Sequence, residues 1–516
     1  MIEPQSSNQL DKARLRQTLR VALIGIGTLL LALVGIGLGL FMGKKIAADE
    51  WPILVTATGL ATFIAIALIN QRHALLLWIV LAPFARFVYL NIELGRGIPN
   101  LTLNRIMTGT LLVLILAQAA SLRRKLARAT WVDFLLVLFC FGAANSLPAT
   151  LTPIKQAVQS FFDLLIVPAA IYFLARNLIT DRREMRGMML ALLVIGFYLA
   201  FLATREQLTG DVWFYPEDRS IQYTASIRRV VGLLGNPAYI ALTINIAVPW
   251  VWYLCLNARR HRMKLLLVVA LMMAGVYFFM NRSGWGGLLA SMIVMALFVP
   301  RFRRIFLVLL TMGAVVGVVY GAIILTSSVV QERLTAQGPL DYRVETWDVA
   351  FQMIRDHPLF GVGYDNFSTF YKRYAHWDVY LRAVPTPHNT YLWVMLMGGV
   401  VALVPFLVFL VVMIFSALKV RREARQQGDT WLADITGVFL ASMAAVLAPA
   451  FVMDILSGYY NTMVMFLVIG GYFGMVAGER RRASAPPVAA SPVAASPVTA
   501  PQGTAPSISG ETAGEG

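Results

Sequence analysis

The chain has 516 residues, 58% of them hydrophobic and 14% charged, with a mean hydropathy of +0.68. A soluble protein of this length carries nearer a quarter charged residues, and continuous rather than alternating apolar runs exclude a β-barrel. The formal net charge of +17 invites a nucleic-acid partner, but its distribution along the chain argues against one.

Apolar runs long enough to span a bilayer recur over most of the length, which predicts an all-α, polytopic helical membrane protein. Hydropathy predicts about fourteen spans, within a range of about twelve to fourteen. They begin near Val21, Trp51, His73, Arg105, Trp131, Ala157, Gly187, Leu233, Met263, Ser283, Ile305, Thr390, Trp431 and Leu456. Residues 1–20 are a basic N-terminal segment with Lys12, Arg14, Arg16 and Arg20. The Val21–Met42 run after it reads as a first transmembrane helix rather than a cleaved signal. The expected division is a membrane domain at 21–327, a large polar loop at 328–388, C-terminal helices at 389–478 and a tail at 479–516. That tail repeats PVAASPVAASPVTAP and reads as disordered.

Basic clusters fall in alternate loops: Arg72, Arg123–Arg128, Arg182–Arg186, Arg259–Lys264, Arg301–Arg304, Lys419–Arg425 and Arg480–Arg482. Together with the N-terminus they hold more than half of the 44 Lys and Arg. The positive-inside rule therefore puts both termini in the cytoplasm and accounts for the charge as a topology signal. The 328–388 loop and a smaller one from Glu206 to Gly232 then face outward. Cys140 and Cys255 both lie inside apolar runs and read as packing residues.

The large loop carries an apolar stripe (Val344, Trp347, Phe351, Ile354) at helical spacing, ending before His357-Pro358. Gly361 and Gly363 allow a turn. The aromatics Phe367, Phe370, Tyr371, Tyr374, Trp377 and Tyr380 follow, as an interfacial belt or a sugar-stacking platform. An amphipathic helix of this kind lies on a membrane surface or caps a cavity. His388, after Pro385-Thr386-Pro387, opens the next span. It fits either an interfacial helix-capping role or proton transfer near neutral pH.

Arg228 and Arg229 close the smaller outer loop, and Arg282 sits in the short turn Asn281-Arg282-Ser283-Gly284. An arginine near hydrocarbon costs about 2.5–3.5 kcal/mol on insertion scales. Such residues either snorkel to headgroups or hold an anion, and the guanidinium fork suits phosphate. Arg86, Arg343, Asn389 and Asp163 are supporting candidates, Asp163 because it is ionisable within an apolar run. No phosphate-binding Walker loop, HExxH, GxSxG or metal-binding D-x-D pattern stands at a useful position, so neither a metal nor another cofactor is expected.

Taken together, several segments resemble the O-antigen ligase and O-antigen polymerase superfamily. They are Arg229-Val-Val-Gly-Leu233 with Asn236-Pro237, Asn281-Arg282-Ser-Gly-Trp285, Arg343-x-x-x-Trp347, residues 357–363 (HPLFGVG), and His388-Asn389-x-Tyr391-Leu392 running to Gly398-Gly399. The Arg-x-x-x-Leu pattern of ligases falls on Arg229 to Leu233, and their His-x9-Gly pattern on His388 to Gly398. The resemblance implies a metal-independent, inverting GT-C type glycosyltransferase of the bacterial inner membrane, acting in lipopolysaccharide or other polysaccharide biosynthesis with its active site on the periplasmic face. It implies a glycan donor on undecaprenyl diphosphate and a lipid A-core or glycan acceptor, with membrane lipids around it and no nucleic acid. It further implies that Arg229, Arg282 and Arg228 hold the diphosphate while His388 orients or deprotonates the acceptor hydroxyl. Val401, where ligases carry Gly or Thr, and the high span count weigh toward the alternative of a repeat-unit polymerase. A transporter-like protein sharing the pattern without the chemistry is a third reading, and the lack of internal repeats outside the tail weighs against it.

Overall fold

The computed structural model describes residues 51–87, 90–95, 98–213, 222–224, 227–326, 338–375 and 386–484. The expected span from Val21, the aromatics Trp377 and Tyr380, and the tail from 485 onward lie outside these residues. The side chains of Arg86, Arg228 and Arg229 also lie outside what is described.

The chain is a helical membrane bundle. In order, its helices are α1 (Trp51–Ile69), α2 (Gln71–Leu81), α3 (Leu103–Ala120), α4 (Trp131–Ala144), α5 (Ile154–Phe161), α6 (Val167–Leu178), α7 (Arg182–Thr209) and α8 (Pro237–Asn257). There follow α9 (Arg262–Phe278), α10 (Arg282–Phe298), α11 (Pro300–Thr326), α12 (Gly338–Asp356), α13 (Phe367–Tyr374), α14 (Thr390–Gln426), α15 (Thr430–Leu447) and α16 (Tyr459–Ser484). Among the described residues nine helices are long and apolar enough to cross a membrane, and the apolar stretches Val55–Ile69, Gln71–Ala85 and Arg282–Phe298 are shorter. Among the described residues strand is confined to two small antiparallel hairpins, β1 (Asn91–Ile92) with β2 (Leu101–Thr102), and β3 (Gln222–Thr224) with β4 (Ile227–Arg229).

Helices α8, α15 and α16 form the buried centre. Every residue of α16 from Tyr460 to Val476 is buried, so its apolar character on all sides is that of an interior helix. It approaches α6 through Gly470, Gly474 and Gly478, at which a Cβ would strike the backbone of Tyr172, of Arg176 and Ile179, and of Thr180. Small residues four apart let two membrane helices meet backbone to backbone, where dispersion replaces the hydrophobic effect as the driving force. The outer helices turn apolar residues such as Leu267, Leu307 and Val315 outward, as lipid contact requires.

The basic loops gather at one end of the bundle. There Arg182 pairs with Asp429 and Glu479, Arg480 with Glu423, Arg482 with Asp181 and Arg72 with Glu184. The opposite end carries the N-termini of α8, α10, α14 and α16, and there α12 and α13 pack against α14.

Those two short helices form a lid with its own small core of Val349, Ala350, Met353, Val362, Phe367 and Tyr371, closed by Leu396 of α14. The α12 face that packs is therefore Thr346–Val349–Ala350–Met353, next to the stripe expected from the sequence. Val344 and Phe351 of that stripe stay exposed, whereas Ile354 packs against the lid core. The helix is apolar on two adjoining faces, one for the lid core and one turned outward. Phe367 and Tyr371 are likewise lid core, not a belt or an open platform.

A helix break docks the lid. Inside α14, Gly399 has φ 60° and ψ −158°, a region that is essentially glycine-only. The break frees amides that the HPLFGVG turn satisfies: Val400 N–H donates to the Pro358 carbonyl at 3.0 Å and Val401 N–H to Leu359 at 3.3 Å. In return Val362 N–H donates to Leu396 at 2.8 Å. A Cβ on Gly399 would strike the Leu359 carbonyl.

A basic, histidine-bearing mouth beneath the lid

Three asparagines cap helices at the lidded end, each accepting a backbone N–H: Asn236 from Ala238, Asn281 from Gly284, and Asn389 from Tyr391 and Leu392. Capping leaves the other N-terminal amides and the positive end of each helix dipole directed toward the mouth. The connecting loop after α15 ties these ends together. Asn389 Nδ2 donates to the Phe451 carbonyl at 3.0 Å, and the Thr390 hydroxyl donates to the Met453 carbonyl at 2.8 Å and accepts from Ile455 N–H at 3.0 Å. Ser283, beside Arg282, reaches Met453 Sδ at 3.7 Å.

His388 is the residue before the α14 cap and adopts φ 44°, a backbone region uncommon outside glycine, though histidine enters it more readily than most residues. The lid holds it there: Trp347 Nε1 of α12 donates to the Pro387 carbonyl at 2.7 Å. The imidazole Nε2 lies 3.1 Å from the Thr386 hydroxyl. Arg343, on α12, is near enough for its charge to act on His388, and Arg282 for its charge to act on Arg343. Burial, then the Arg343 charge, hold the His388 imidazole below its ordinary value, so it is neutral at pH 7. Burial and the Arg282 charge also lower Arg343. A guanidinium starts so high that it stays charged.

Arg282, Arg343 and His388 are thus brought together, with Asn389 beside them as a helix cap. Asp163 is not part of this group. It forms a two-pronged pair with Arg105 at 2.8 and 2.9 Å, on a separate groove at the same end. For Arg228 and Arg229 only the backbone is described, with Arg228 opposite Tyr223 and Arg229 opposite Gln222 in the β3–β4 register. The strand is followed by amides of Val231 and Gly232, both donating to the buried Glu206 carboxylate at 2.9 Å. Gly232 packs against Phe279, so the segment after β4 lies beside the α9–α10 turn that carries Arg282.

Glu206, Arg105 and Asp454 were not among the candidate site residues in the sequence. Asp454 is buried in the connecting loop, its Oδ1 has no hydrogen-bond partner among the described residues, and burial pushes its carboxyl up to about 8. Each is an ionisable residue in or beside an apolar run, which is the signal that would have found it.

Fold and site together define a multi-pass membrane protein with a cationic, histidine-bearing mouth beneath an amphipathic lid. Residues 266–407 match the family model described as O-antigen ligase, which supports the O-antigen ligase superfamily and with it an O-antigen ligase-type function. Arg282, Arg343, His388 and the Gly399 break all fall inside the matched segment. No curated protein matches the chain.

Proposed function

We propose that the protein transfers a glycan from undecaprenyl diphosphate to an acceptor hydroxyl, of lipid A-core or a similar sugar, at the periplasmic face of the bacterial inner membrane. The observation that carries this is the grouping of Arg282, Arg343 and a neutral His388 at one mouth. A sugar diphosphate leaves as an anion, so its departure is helped most by cations and helix N-termini already in place. Arg282 and Arg343 supply the cations, with Arg228 and Arg229 expected beside them. His388 accepts the proton of the acceptor hydroxyl as that oxygen bonds to the anomeric carbon. The anomeric carbon–oxygen bond breaks on the opposite side, its electron pair passes to the diphosphate, and the configuration inverts. No metal ion enters this scheme; the arginines carry the charge.

Val401 meets the lid turn and Gly142 of α4 through its backbone amide and carbonyl, contacts that Gly or Thr would make equally, so the departure from the ligase pattern there keeps its weight toward the alternative of a polymerase. The test is a reconstituted assay with lipid-linked donor and acceptor. His388→Ala lowers kcat by about 100- to 10,000-fold while binding of undecaprenyl diphosphate persists, and Arg282→Gln weakens that binding. Full transfer by both variants overturns the scheme.

A further inference from the structure

Beside the mouth lies a second space of about 500 Å³ that the chemistry above does not use. Its wall includes Asn91, Asn104, Ser160, Asp163, Ser457 and Tyr459. The size falls within the range of small-molecule sites, and the lining has a definite character. Asp163 is neutralised by Arg105, which also donates to the carbonyls of Asn100 and Gln159. None of the described lining residues is Lys or Arg, and Arg105 behind the wall is engaged by Asp163. The polar set stands among Ala85, Leu90, Leu103 and Leu164, the mixed lining that small-molecule sites show. Two polar atoms of lining residues, Asn104 Oδ1 and Thr102 Oγ1, are buried in the wall with no hydrogen-bond partner among the described residues, a state that buried polar groups rarely keep. The α5–α6 helix makes a π-helical turn at Phe162–Ile166, at Asp163 itself, a local widening that is frequent at functional sites.

The groove is joined to the mouth on two sides. Ser457 and Tyr459 continue the loop whose Phe451, Met453 and Ile455 hold Asn389 and Thr390. Ser160 accepts from the hydroxyl of Tyr364, in the lid turn, at 3.4 Å. The groove is thus linked to the mouth through the loop from Phe451 to Tyr459, and to the lid turn through Ser160.

We propose that this groove binds the sugar end of the acceptor: a neutral, hydroxyl-rich saccharide held by Asn104, Asn91 and the free lone pairs of Asp163, with Tyr459 alongside. The proposal rests on the transferase reading above, and its test separates the two. In proteoliposomes, Asn104→Leu keeps the side chain's size and removes its hydrogen bonds; Asn91→Leu is the second variant should the first misfold. Each is expected to raise the acceptor KM about tenfold, the effect of one or two lost hydrogen bonds, with donor KM unchanged. An unchanged acceptor KM, the outcome for an acyl chain in the groove, overturns the proposal, as does a rise in donor KM instead. Saturation-transfer NMR on the detergent-solubilised protein provides a readout without catalysis. The probes are delipidated core oligosaccharide and a single repeat-unit glycan from the source organism. Binding by wild type that Asn104→Leu abolishes supports the groove even if transfer fails; no binding of either probe by wild type overturns it. Absence of transfer by wild type overturns the transferase reading alone.

Discussion

His388 shows how a residue's role depends on what surrounds it. Alone it is a histidine at a helix start; in the fold it is buried beside Arg343 in a backbone conformation that the Trp347–Pro387 hydrogen bond helps to hold. Burial first, and then the positive charge of Arg343, disfavour the imidazolium, so the imidazole titrates below its ordinary value and stays basic down to lower pH. Removing that charge lets the value rise. Arg343→Gln is therefore expected to move the acid limb of the kcat/KM–pH profile to higher pH, so that activity fails earlier on acidification. A profile that loses amplitude without moving its limb would show that Arg343 acts on substrate alone. Arg282 and His388 were legible in the sequence because an arginine in a short turn and a histidine at a span boundary are both costly or unusual there. Arg343 read only as a supporting residue, because on an amphipathic surface helix an arginine is unremarkable until the helix folds back over the mouth.

At the scale of elements, the lid and α14 depend on one another. The glycine-only backbone of Gly399 opens the helix, and the turn from Pro358 to Val362 fills the opening with its own hydrogen bonds. Gly399→Ala should cost about 1–3 kcal/mol from backbone strain, with a further steric term from the Leu359 carbonyl. We expect a lower melting temperature in detergent and faster proteolysis within residues 338–375. Gly313→Ala, at a helical position with open space around it, is the control and should leave both unchanged. An unaffected Gly399→Ala would mean that the lid is held by its side-chain core alone. Hydropathy predicted a helix from Thr390 and showed the Gly398-Gly399 pair. It did not reveal the break, since helix-breaking residues are tolerated in membrane helices wherever neighbours satisfy the freed groups. The two-faced character of α12 was hidden for a similar reason, since periodicity names an apolar stripe without saying which of two adjoining faces meets a partner.

At the scale of the whole molecule, the ion-paired basic loops lie at one end and the lidded mouth at the other. Given the positive-inside rule, the mouth should face the periplasm. With Cys140 and Cys255 replaced by Ala, Thr369→Cys in the lid should react with a membrane-impermeant maleimide in intact cells. Gln427→Cys, between α14 and α15, should react only after permeabilisation; the reverse pattern would invert the proposed orientation. The sequence by itself determined the helical, multi-pass class and the segregation of charge. Bilayer thickness and the cost of unpaired backbone groups act locally, on runs of a length that can be read directly. The mouth was decided only by tertiary structure. Arg282, Arg343 and His388 are far apart in the chain, and so are Asn104, Asp163 and Ser457. What brings each set together is glycine-mediated helix packing, three capped helix ends and one docked lid, none of which has a local signature in composition or period.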